Sequence, residues 1–526
     1  MRAGYIGRVP AVTLRSLLPH LPVQSARGNL DVPLTGIVYD SRDAERGSLF
    51  VAMGGLHTDG ARYMQDAARR GAVAVLHGPG TAAVPDGLAA VQVENPRTAL
   101  SRLAAGFFNH PSREIRVIGV TGTDGKSSTV WFIDQLLTLA GKRSGFLSTV
   151  SFKTGDALEK NPFRQSTPEA SEIHGMLRGM VTAGKEFAVV EATSHGLSAR
   201  MNRLADVVFD AAVLTNVTHE HLEFHGSFEQ YRSDKANLFR ALSVDASKEV
   251  ACPRFGVVNA DDPSAEYFRA AARVPVFCYS ASRPHGPLPP ERGGAADMAA
   301  GSLRSDIRGT TFLLQCAGKS AEARINIPGP FWVDNSTAAC LTVGKILEVD
   351  PLSLAPFLAR LTSVPGRMDY VNQGQPYAVI VDYAHTPGAF KRLFPWVRAH
   401  TGGRVTAVFG SAGERDPAKR PMQGRVAAEH CDVVVITEED RRGEDTMAIM
   451  EQIAAGCERK TRGKDLFLIP DRREAIRYAL SQAQPGDTVL LLGKGHEGSI
   501  IGPAGPAPWD ERAEAVSALA ALGFGG

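Results

Sequence analysis

The sequence predicts an α/β protein of three domains, and three observations carry that expectation. Short apolar runs alternate with segments of helical spacing along most of the chain, which is the pattern of parallel sheets covered by helices. The 526 residues exceed what one hydrophobic core holds, and ordinary domain sizes give three. One strand-to-helix turn is a glycine loop closed by Gly-Lys-Ser, a pattern that cradles phosphates. The divisions fall at 1–110, a small α/β domain; 111–340, a central parallel-sheet domain carrying the phosphate loop; and 341–526, a Rossmann-like domain.

In the first domain, Thr35 to Arg42 runs from a strand into a polar turn, and Gly47 to Ala52 is a second strand. Tyr63 to Arg70 reads as a helix and Ala72 to Leu76 as a third strand. Asp40, Ser41 and Arg42 could hydrogen-bond a ligand, although such residues also build ordinary turns. Asn109-His110-Pro111-Ser112 reads as the linker into the central domain.

There, Val117, Ile118 and Val120 form a buried strand. Val130, Ile133, Leu136, Leu137 and Ala140 recur at helical spacing, and Gly141 caps that helix. Between them stand Gly122, Thr123, Asp124, Gly125, Lys126, Ser127 and Ser128. Backbone N–H groups of such a loop point inward, and the helix N-terminus adds partial positive charge. Lys126 would reach the β/γ-phosphates and the Ser127 hydroxyl would bind Mg²⁺. Val120 occupies the place where the usual pattern has glycine. The plainer alternative, a glycine-rich turn with a surface lysine, leaves the flanking strand and helix unexplained.

Phe187 to Val190 is a strand ending at Glu191, and Ala211 to Leu214 is another ending at Thr215-Asn216. Ligands of open α/β sheets sit beyond the carboxyl ends of strands, so these two ends and the phosphate loop converge. A carboxylate such as Glu191 beside phosphates suits Mg²⁺, a hard cation that prefers oxygen; a solvated loop carboxylate is the alternative. Ala192-Thr193-Ser194-His195-Gly196 has the outline of a nucleophile elbow with alanine at its first position. A serine hydrolase, however, would leave the phosphate loop without a purpose. His219-Glu220-His221-Leu222-Glu223-Phe224-His225 could hold a metal, but its spacing is not H-E-x-x-H. Lys235 alone reads as a helix-surface lysine. Arg283 to Gly301, rich in Pro, Gly and Ala, reads as a mobile surface loop.

The third domain holds strands at Ala378 to Val381, Val405 to Phe409, Val433 to Ile436 and Val489 to Leu492. Each ends in a polar or glycine-rich turn, and no second phosphate loop follows. Net charge is +2, which gives no sign of a general nucleic-acid binder. No apolar run approaches the ~18 residues of a membrane span, and the N-terminus lacks a signal-peptide core. Six scattered cysteines without C-x-x-C spacing read as reduced thiols of a cytoplasmic protein.

Taken together, the chain resembles the Mur ligase family, in its tripeptide-synthetase (MurE-type) branch, over nearly its whole length. The resemblance rests on Tyr39-Asp40-Ser41-Arg42, Gly47 to Ala52, Thr121 to Lys126, Ser166 to Ala170, Thr193 to Leu197, and Thr215-Asn216 with His221 and Lys235. It continues through Val364 to Met368, Asp382 to Pro387, Glu414-Arg415-Asp416 with Lys419-Arg420-Pro421, and Gly493 to Glu497.

The resemblance implies an ATP-dependent ligase of peptidoglycan synthesis. It would add a diamino acid to the D-Glu of UDP-N-acetylmuramoyl-L-alanyl-D-glutamate through an acyl phosphate, as a cytoplasmic monomer that neither binds nucleic acid nor enters a membrane. The first domain becomes the UDP-binding one, the second the ATP-binding one, and the third the one that receives the amino acid. By the same match, Lys126, His221 and Lys235 are catalytic. Ser127, Glu191, His221 and a carbamylated Lys235 bind Mg²⁺, so the resemblance overrides the plain reading of Lys235. Asn335, Arg367, Asp382 and His385 join the phosphate loop in holding ATP. Ser41, Thr167, Ser194 and Arg203 (with Arg200 the second choice) hold the muramoyl-dipeptide. Arg415, Asp440, Arg442, Gly493 and Glu497 hold the amino acid.

Two departures stand out. Diaminopimelate-adding members read Asp-Asn-Pro-Arg where this chain has Glu439-Asp440-Arg441-Arg442. Arg442 can still pair with a carboxylate, whereas the added acid at Asp440 would suit the bare ammonium of lysine or ornithine. Meso-diaminopimelate is placed slightly ahead of L-lysine and L-ornithine. Trp332 stands where the family usually has Asn, within the adenine pocket. The competing readings are a folylpolyglutamate synthetase-like amide ligase and a non-catalytic binding protein on the same fold.

Overall fold

The computed structural model describes residues 12–54, 59–81, 84–163, 165–218, 222–242, 248–281 and 296–525. The chain forms two compact units. The first comprises Met1–Gly301, Leu314–Ala321 and Asp334–Phe357; the second comprises Ser302–Leu313, Glu322–Val333 and Leu358–Gly526.

Among its described residues, the first unit holds two large sheets and a two-stranded ribbon of Val12–Thr13 with Pro33–Leu34. Near the N-terminus, five strands run in the order Val23–Arg27, Ala89–Val93, Ala74–His77, Ser48–Val51, Gly36–Val38. The first pairing is antiparallel and the others are parallel. Leu49, Val51, Leu76 and Val91 pack under the helix Pro96–Phe107, while Phe50 and Val75 face the other way, toward Met64 and Ala67. Burial on both faces is what a parallel strand with little polar alternation requires.

The linker is more ordered than its composition suggests. Asn109 and His110 adopt left-handed backbone, φ 54° and 51°, and Pro111–Glu114 is a single helical turn. The Arg178 guanidinium donates to the carbonyls of Phe108 and Asn109 and pairs with Glu114. Proline disfavours right-handed helix before it, and here that bias turns the chain through the left-handed region instead of extending it.

The central sheet is parallel around the phosphate-loop strand. Ser144–Leu147, Phe187–Glu191, Arg116–Thr121, Ala211–Leu214, Phe255–Asn259 and Val276–Ser280 are successive neighbours. Val120 pairs with Glu191, and Thr121 with Leu214, so the three expected strand ends lie side by side. The foot of the central strand is pinned at Asp210, which accepts from the Val117 N–H at 2.7 Å and pairs with Lys248 at 2.6 Å. Gly119 sits mid-strand because a Cβ there would lie 2.6 Å from Leu238 and 2.9 Å from Phe209. The helix Phe228–Arg240 therefore packs close to this strand.

Most of the Pro/Gly/Ala-rich stretch expected to be a loop lies outside the described residues. Its last part, Met298–Gly301, is a correction: it opens the strand Met298–Asp306, whose Met298 pairs with Tyr279. The helix expected from Tyr63 begins as a tight turn at Gly60–Tyr63 and continues as Met64–Arg69.

The second unit is built on a six-stranded sheet in the order Asp369–Tyr370, Ala378–Asp382, Thr488–Leu492, Val405–Phe409, Val433–Ile436, Leu466–Leu468. All pairings except the first are parallel. The four expected strands are its centre. Arg472 is the post behind their ends. Its guanidinium donates to the carbonyls of Leu492 and Glu438 and pairs with Glu511 at 2.6 Å. Trp509 donates to the same carboxylate.

Arg472 and Glu511 are both fully buried, so removing one leaves the other as an uncompensated charge. Glu511→Ala is expected to cost about 3–5 kcal/mol. A urea unfolding midpoint of the second unit's transition that matched the parent would contradict this.

Candidate functional site

The phosphate loop is held from the side by the neighbouring strand end. The Thr215 hydroxyl donates to the Asp124 carbonyl at 2.6 Å. The Asn216 amide accepts from the Asp124 N–H at 2.9 Å and donates to its carbonyl at 3.1 Å, and the Thr123 N–H donates to the Asn216 carbonyl. Gly122 has φ 149°, and a Cβ there would lie 1.8 Å from the Thr215 hydroxyl. No other residue fits. Gly125, at φ 82°, starts the helix Lys126–Leu139 and faces Asn335, whose side-chain oxygen accepts from Thr129. Lys126 lies over the loop, its ammonium donating to the carbonyls of Gly122 and Thr123. Ser128 is buried within the first helical turn.

Glu191 is 2% exposed and ringed by donors. Its carboxylate accepts from the Ser127 hydroxyl at 2.8 Å and from the Thr149 N–H and hydroxyl at 2.9 and 2.8 Å. Ser127 and Glu191 thus place two hard oxygen donors in contact at the loop, the chemistry that Mg²⁺ takes. Among the described residues no three His, Cys, Asp or Glu side chains gather as a metal cage. His221 lies outside the described residues. Lys235 is 1% exposed, not a surface lysine. Its Nζ donates to the Gly122 carbonyl at 2.5 Å and lies 4.4 Å above the Tyr231 ring. Tyr231 in turn shares a hydrogen bond with Thr123.

The residues expected to hold the dipeptide are also placed. The Thr167 hydroxyl donates to the Glu191 carbonyl and meets the Thr193 hydroxyl. Ser194 begins the turn Ser194–Leu197 and hydrogen-bonds His225. Arg203 is buried, donating to the Thr167 carbonyl and pairing with Glu169 at 2.8 Å; its Nε has no partner. Arg200 is exposed and lies over the Phe224 ring. Ser41 is buried in the turn Ser41–Asp43, and the preceding Tyr39 donates to Glu172 at 2.9 Å.

In the second unit, loops at the strand ends gather the remaining expected residues. Asp382 accepts from the N–H groups of Met368 and Ala384, and Arg367 lies over the Tyr383 ring. Burial pushes the Asp382 carboxyl up, against the pull of Arg367. His385 bonds the Tyr383 carbonyl. Gly366 and Gly495 are in backbone contact, which joins this cluster to the next. There Lys494, fully buried, pairs with Asp440 at 2.8 Å and Glu497 at 2.6 Å. Asp440 also accepts from the Ile501 N–H, and Tyr383 donates to Glu497. The Gly413 N–H donates to the Asp440 carbonyl, which ties in the loop of Arg415, itself exposed. Arg442 adopts φ 54°, with its N–H on the Ile501 carbonyl and its Nε buried without a partner. Gly493, at φ 99°, lies against the Glu439 carboxyl, which burial pushes up. Trp332 donates to the Pro328 carbonyl.

Sequence reasoning missed Thr149, Arg472 and Lys494. Thr149 follows the strand Ser144–Leu147 with no motif around it. Lys494 lies inside the motif Gly493 to Glu497, and the carboxylates of Asp440 and Glu497 were the available signal.

The comparisons with known proteins agree in order along the chain. Residues 33–108 match the Mur ligase family catalytic domain, 120–343 the Mur ligase middle domain, and 366–495 the Mur ligase glutamate ligase domain. The chain belongs to the Mur ligase family, a family of ATP-dependent ligases that join an acid to an amino acid. Within it, the chain is of the UDP-N-acetylmuramyl-tripeptide synthetase (MurE) type, a ligase of peptidoglycan synthesis. A UDP-N-acetylmuramyl-tripeptide synthetase of Roseiflexus sp. (strain RS-1) is 49% identical over 98% of this chain and all of that one. A UDP-N-acetylmuramoyl-L-alanyl-D-glutamate–2,6-diaminopimelate ligase of Geobacillus kaustophilus is 36% identical over 96% of this chain and 99% of its own length. A solved structure of such a diaminopimelate ligase superposes with TM-score 0.67 at 27% identity, covering 98% of this chain and all of that one. These matches set aside the folylpolyglutamate reading.

Beside the motif around Ser41, the Glu172 carboxyl is raised by burial from the ordinary 4.5 to about 7, the Tyr39 bond opposing the shift. The folded state therefore holds this proton more tightly than the unfolded chain does. The stability this contributes is present below about pH 4.5 and is lost as pH rises through about 7. Glu172→Gln, which keeps an acceptor for Tyr39, removes that loss. Urea titrations at pH 4 and pH 8 should show the variant gaining about 3 kcal/mol on the parent between them; a constant gap would contradict the assignment.

Proposed function

We propose that the chain joins a diamino acid to the D-Glu side-chain carboxylate of UDP-N-acetylmuramoyl-L-alanyl-D-glutamate, with ATP as the phosphoryl donor. One observation carries the reading. The phosphate-loop lysine and the Ser127–Glu191 oxygen pair stand at the ends of adjacent parallel strands, and the ammonium of the buried Lys235 reaches the same loop from the helix Phe228–Arg240.

A carboxylate is a poor electrophile toward an amine, so it must first be activated. The γ-phosphoryl group passes from ATP to the D-Glu carboxylate, giving an acyl phosphate and ADP. The incoming amine attacks its carbonyl carbon, and phosphate leaves from the tetrahedral adduct. Lys126 and the loop N–H groups stabilise charge on the transferring group, where catalysis of phosphoryl transfer mostly lies. Mg²⁺ would neutralise phosphate charge; Ser127, Glu191 and His221 would hold it, together with the oxygens of a carbamate formed by addition of CO₂ to the Lys235 amine.

In this reading the domains divide at 1–110, 111–340 and 341–526. Gly122 to Ser128, Asn335, Arg367, Asp382 and His385 bind ATP. Ser41, Thr167, Ser194 and Arg203 bind the dipeptide, and Arg415, Asp440, Arg442, Gly493 and Glu497 bind the amino acid. Meso-diaminopimelate is favoured, because Arg442 has a buried unpartnered Nε to offer a carboxylate, whereas Asp440 already accepts from Lys494. The enzyme acts as a cytoplasmic monomer. All six cysteines are free thiols, as a reducing compartment keeps them.

The test is phosphate release from ATP with the nucleotide-dipeptide, adding meso-diaminopimelate, L-lysine and L-ornithine one at a time. Turnover with diaminopimelate supports the reading in full. Turnover with one of the others keeps the ligase and moves the amino acid. No turnover with any overturns it. Lys126→Ala should lower the rate by at least about 10²-fold while leaving the protein folded.

Lys235→Ala should lose activity that added bicarbonate does not restore, with partial rescue by a short carboxylate in solution. Labelled bicarbonate should give a carbamate NMR signal in the parent that the variant lacks. An unaffected rate would remove the carbamate from the mechanism.

A further inference from the structure

Ser194, His225 and Asp234 form a continuous hydrogen-bonded chain that the reading above leaves unused. The His225 ring bonds the Ser194 hydroxyl through Nε2 at 3.0 Å and the Asp234 carboxylate through Nδ1 at 2.7 Å. The second Asp234 oxygen accepts from the Gln230 amide at 2.9 Å. The His225 side chain is fully buried, and the rings of His195, Phe224 and Tyr231 stand edge-on around it at 4.7–5.3 Å. Three separate segments meet here: the strand-end turn of Ser194, the short helix Leu222–His225, and the helix Phe228–Arg240.

The same three side chains in the same contact order make the triad of serine hydrolases. The backbone argues against that use. A nucleophile elbow holds its serine on a sharp, strained turn. Ser194 instead opens a helical turn capped by Thr193, without positive φ, and is itself buried.

We propose that His225 and Asp234 are positioning residues that set the direction of the Ser194 hydroxyl toward the muramoyl-dipeptide. The Asp234 carboxylate fixes the imidazole proton on Nδ1, as carboxylates do for histidines they face. Nε2 is then an acceptor, and the hydroxyl of Ser194 must donate to it. The Ser194 oxygen is left with lone pairs only. It meets the substrate as an acceptor and selects an N–H or O–H donor rather than a carboxylate. The proposal rests on the assignment of Ser194 to the dipeptide site.

The test is steady-state kinetics with Ser194→Ala, His225→Phe, Asp234→Asn and the doubles that combine Ser194→Ala with each of the other two. Each single variant is expected to raise KM for the nucleotide-dipeptide by about tenfold, the weight of one oriented hydrogen bond. KM for ATP should stay within about twofold. The doubles should be no worse than Ser194→Ala alone, because residues acting through one another are not additive. Multiplied losses in the doubles, an equal rise in KM for ATP, or unchanged dipeptide KM in the singles would each overturn the proposal. If His225→Phe does not fold, Asp234→Asn carries the same test, since it keeps the side chain's shape while removing the charge and one of the two acceptor oxygens. A parent enzyme inactive with the nucleotide-dipeptide would instead sink the functional reading.

Discussion

The contact between Gly122 and the Thr215 hydroxyl is the constraint on which the first unit's site depends. Parallel pairing of Thr121 with Leu214 brings the two strands out of the sheet in step. The phosphate loop must then pass so close to Thr215–Asn216 that a Cβ at 122 has no space. In return, both polar backbone groups of Asp124 find partners in Thr215 and Asn216. A loop whose N–H groups must wait for an anion needs its remaining polar groups satisfied from elsewhere. Thr215–Asn216 does that for one side, and Lys235 does it for the Gly122 carbonyl.

Charge is handled alike in the two units. Several of the ionic side chains that the resemblance assigns to a ligand already have a partner of their own. Glu191 accepts from Ser127 and Thr149, Arg203 pairs with Glu169, and Asp440 and Glu497 share Lys494. Burying any of these unpaired would be costly. Pairing them internally fixes their positions before substrate arrives, which is the source of electrostatic catalysis. At these residues a ligand must exchange contacts with the protein rather than fill vacant ones, so differences between related substrates there are small differences of similar terms.

The fold was legible where hydrophobic pattern and strand-end chemistry agreed. The phosphate-loop strand, its helix, and the strands ending at Glu191 and Asn216 all stand where periodicity puts them. The edge strand Leu466–Leu468 was not legible, because three residues carry too little pattern to read and its pairing is with distant sequence. Lys235 shows the limit best. Local pattern reads it as a surface lysine on a polar helix; its burial comes from Gly119, more than a hundred residues earlier, which lets that helix approach the sheet. Ser194 shows the converse. Its local motif suggested a nucleophile, and only the backbone of the turn and the identity of its partners separate a held hydroxyl from an attacking one.

Position 440 shows why a substitution read from a motif does not translate directly into specificity. An acid in place of an amide suggests a new site for a substrate ammonium. In the folded protein, one carboxylate oxygen of Asp440 already accepts from Lys494 and from the Ile501 N–H. Lys494 is fully buried and must be neutralised whatever the substrate. The negative charge introduced at 440 therefore offsets a charge the protein already carries, and it shares that work with Glu497. A substrate ammonium gains there only what remains after Lys494 is satisfied. Arg442 is in the opposite position: its backbone is fixed by Ile501 while its buried Nε has no partner, so a carboxylate brought beside it gains a contact without displacing one.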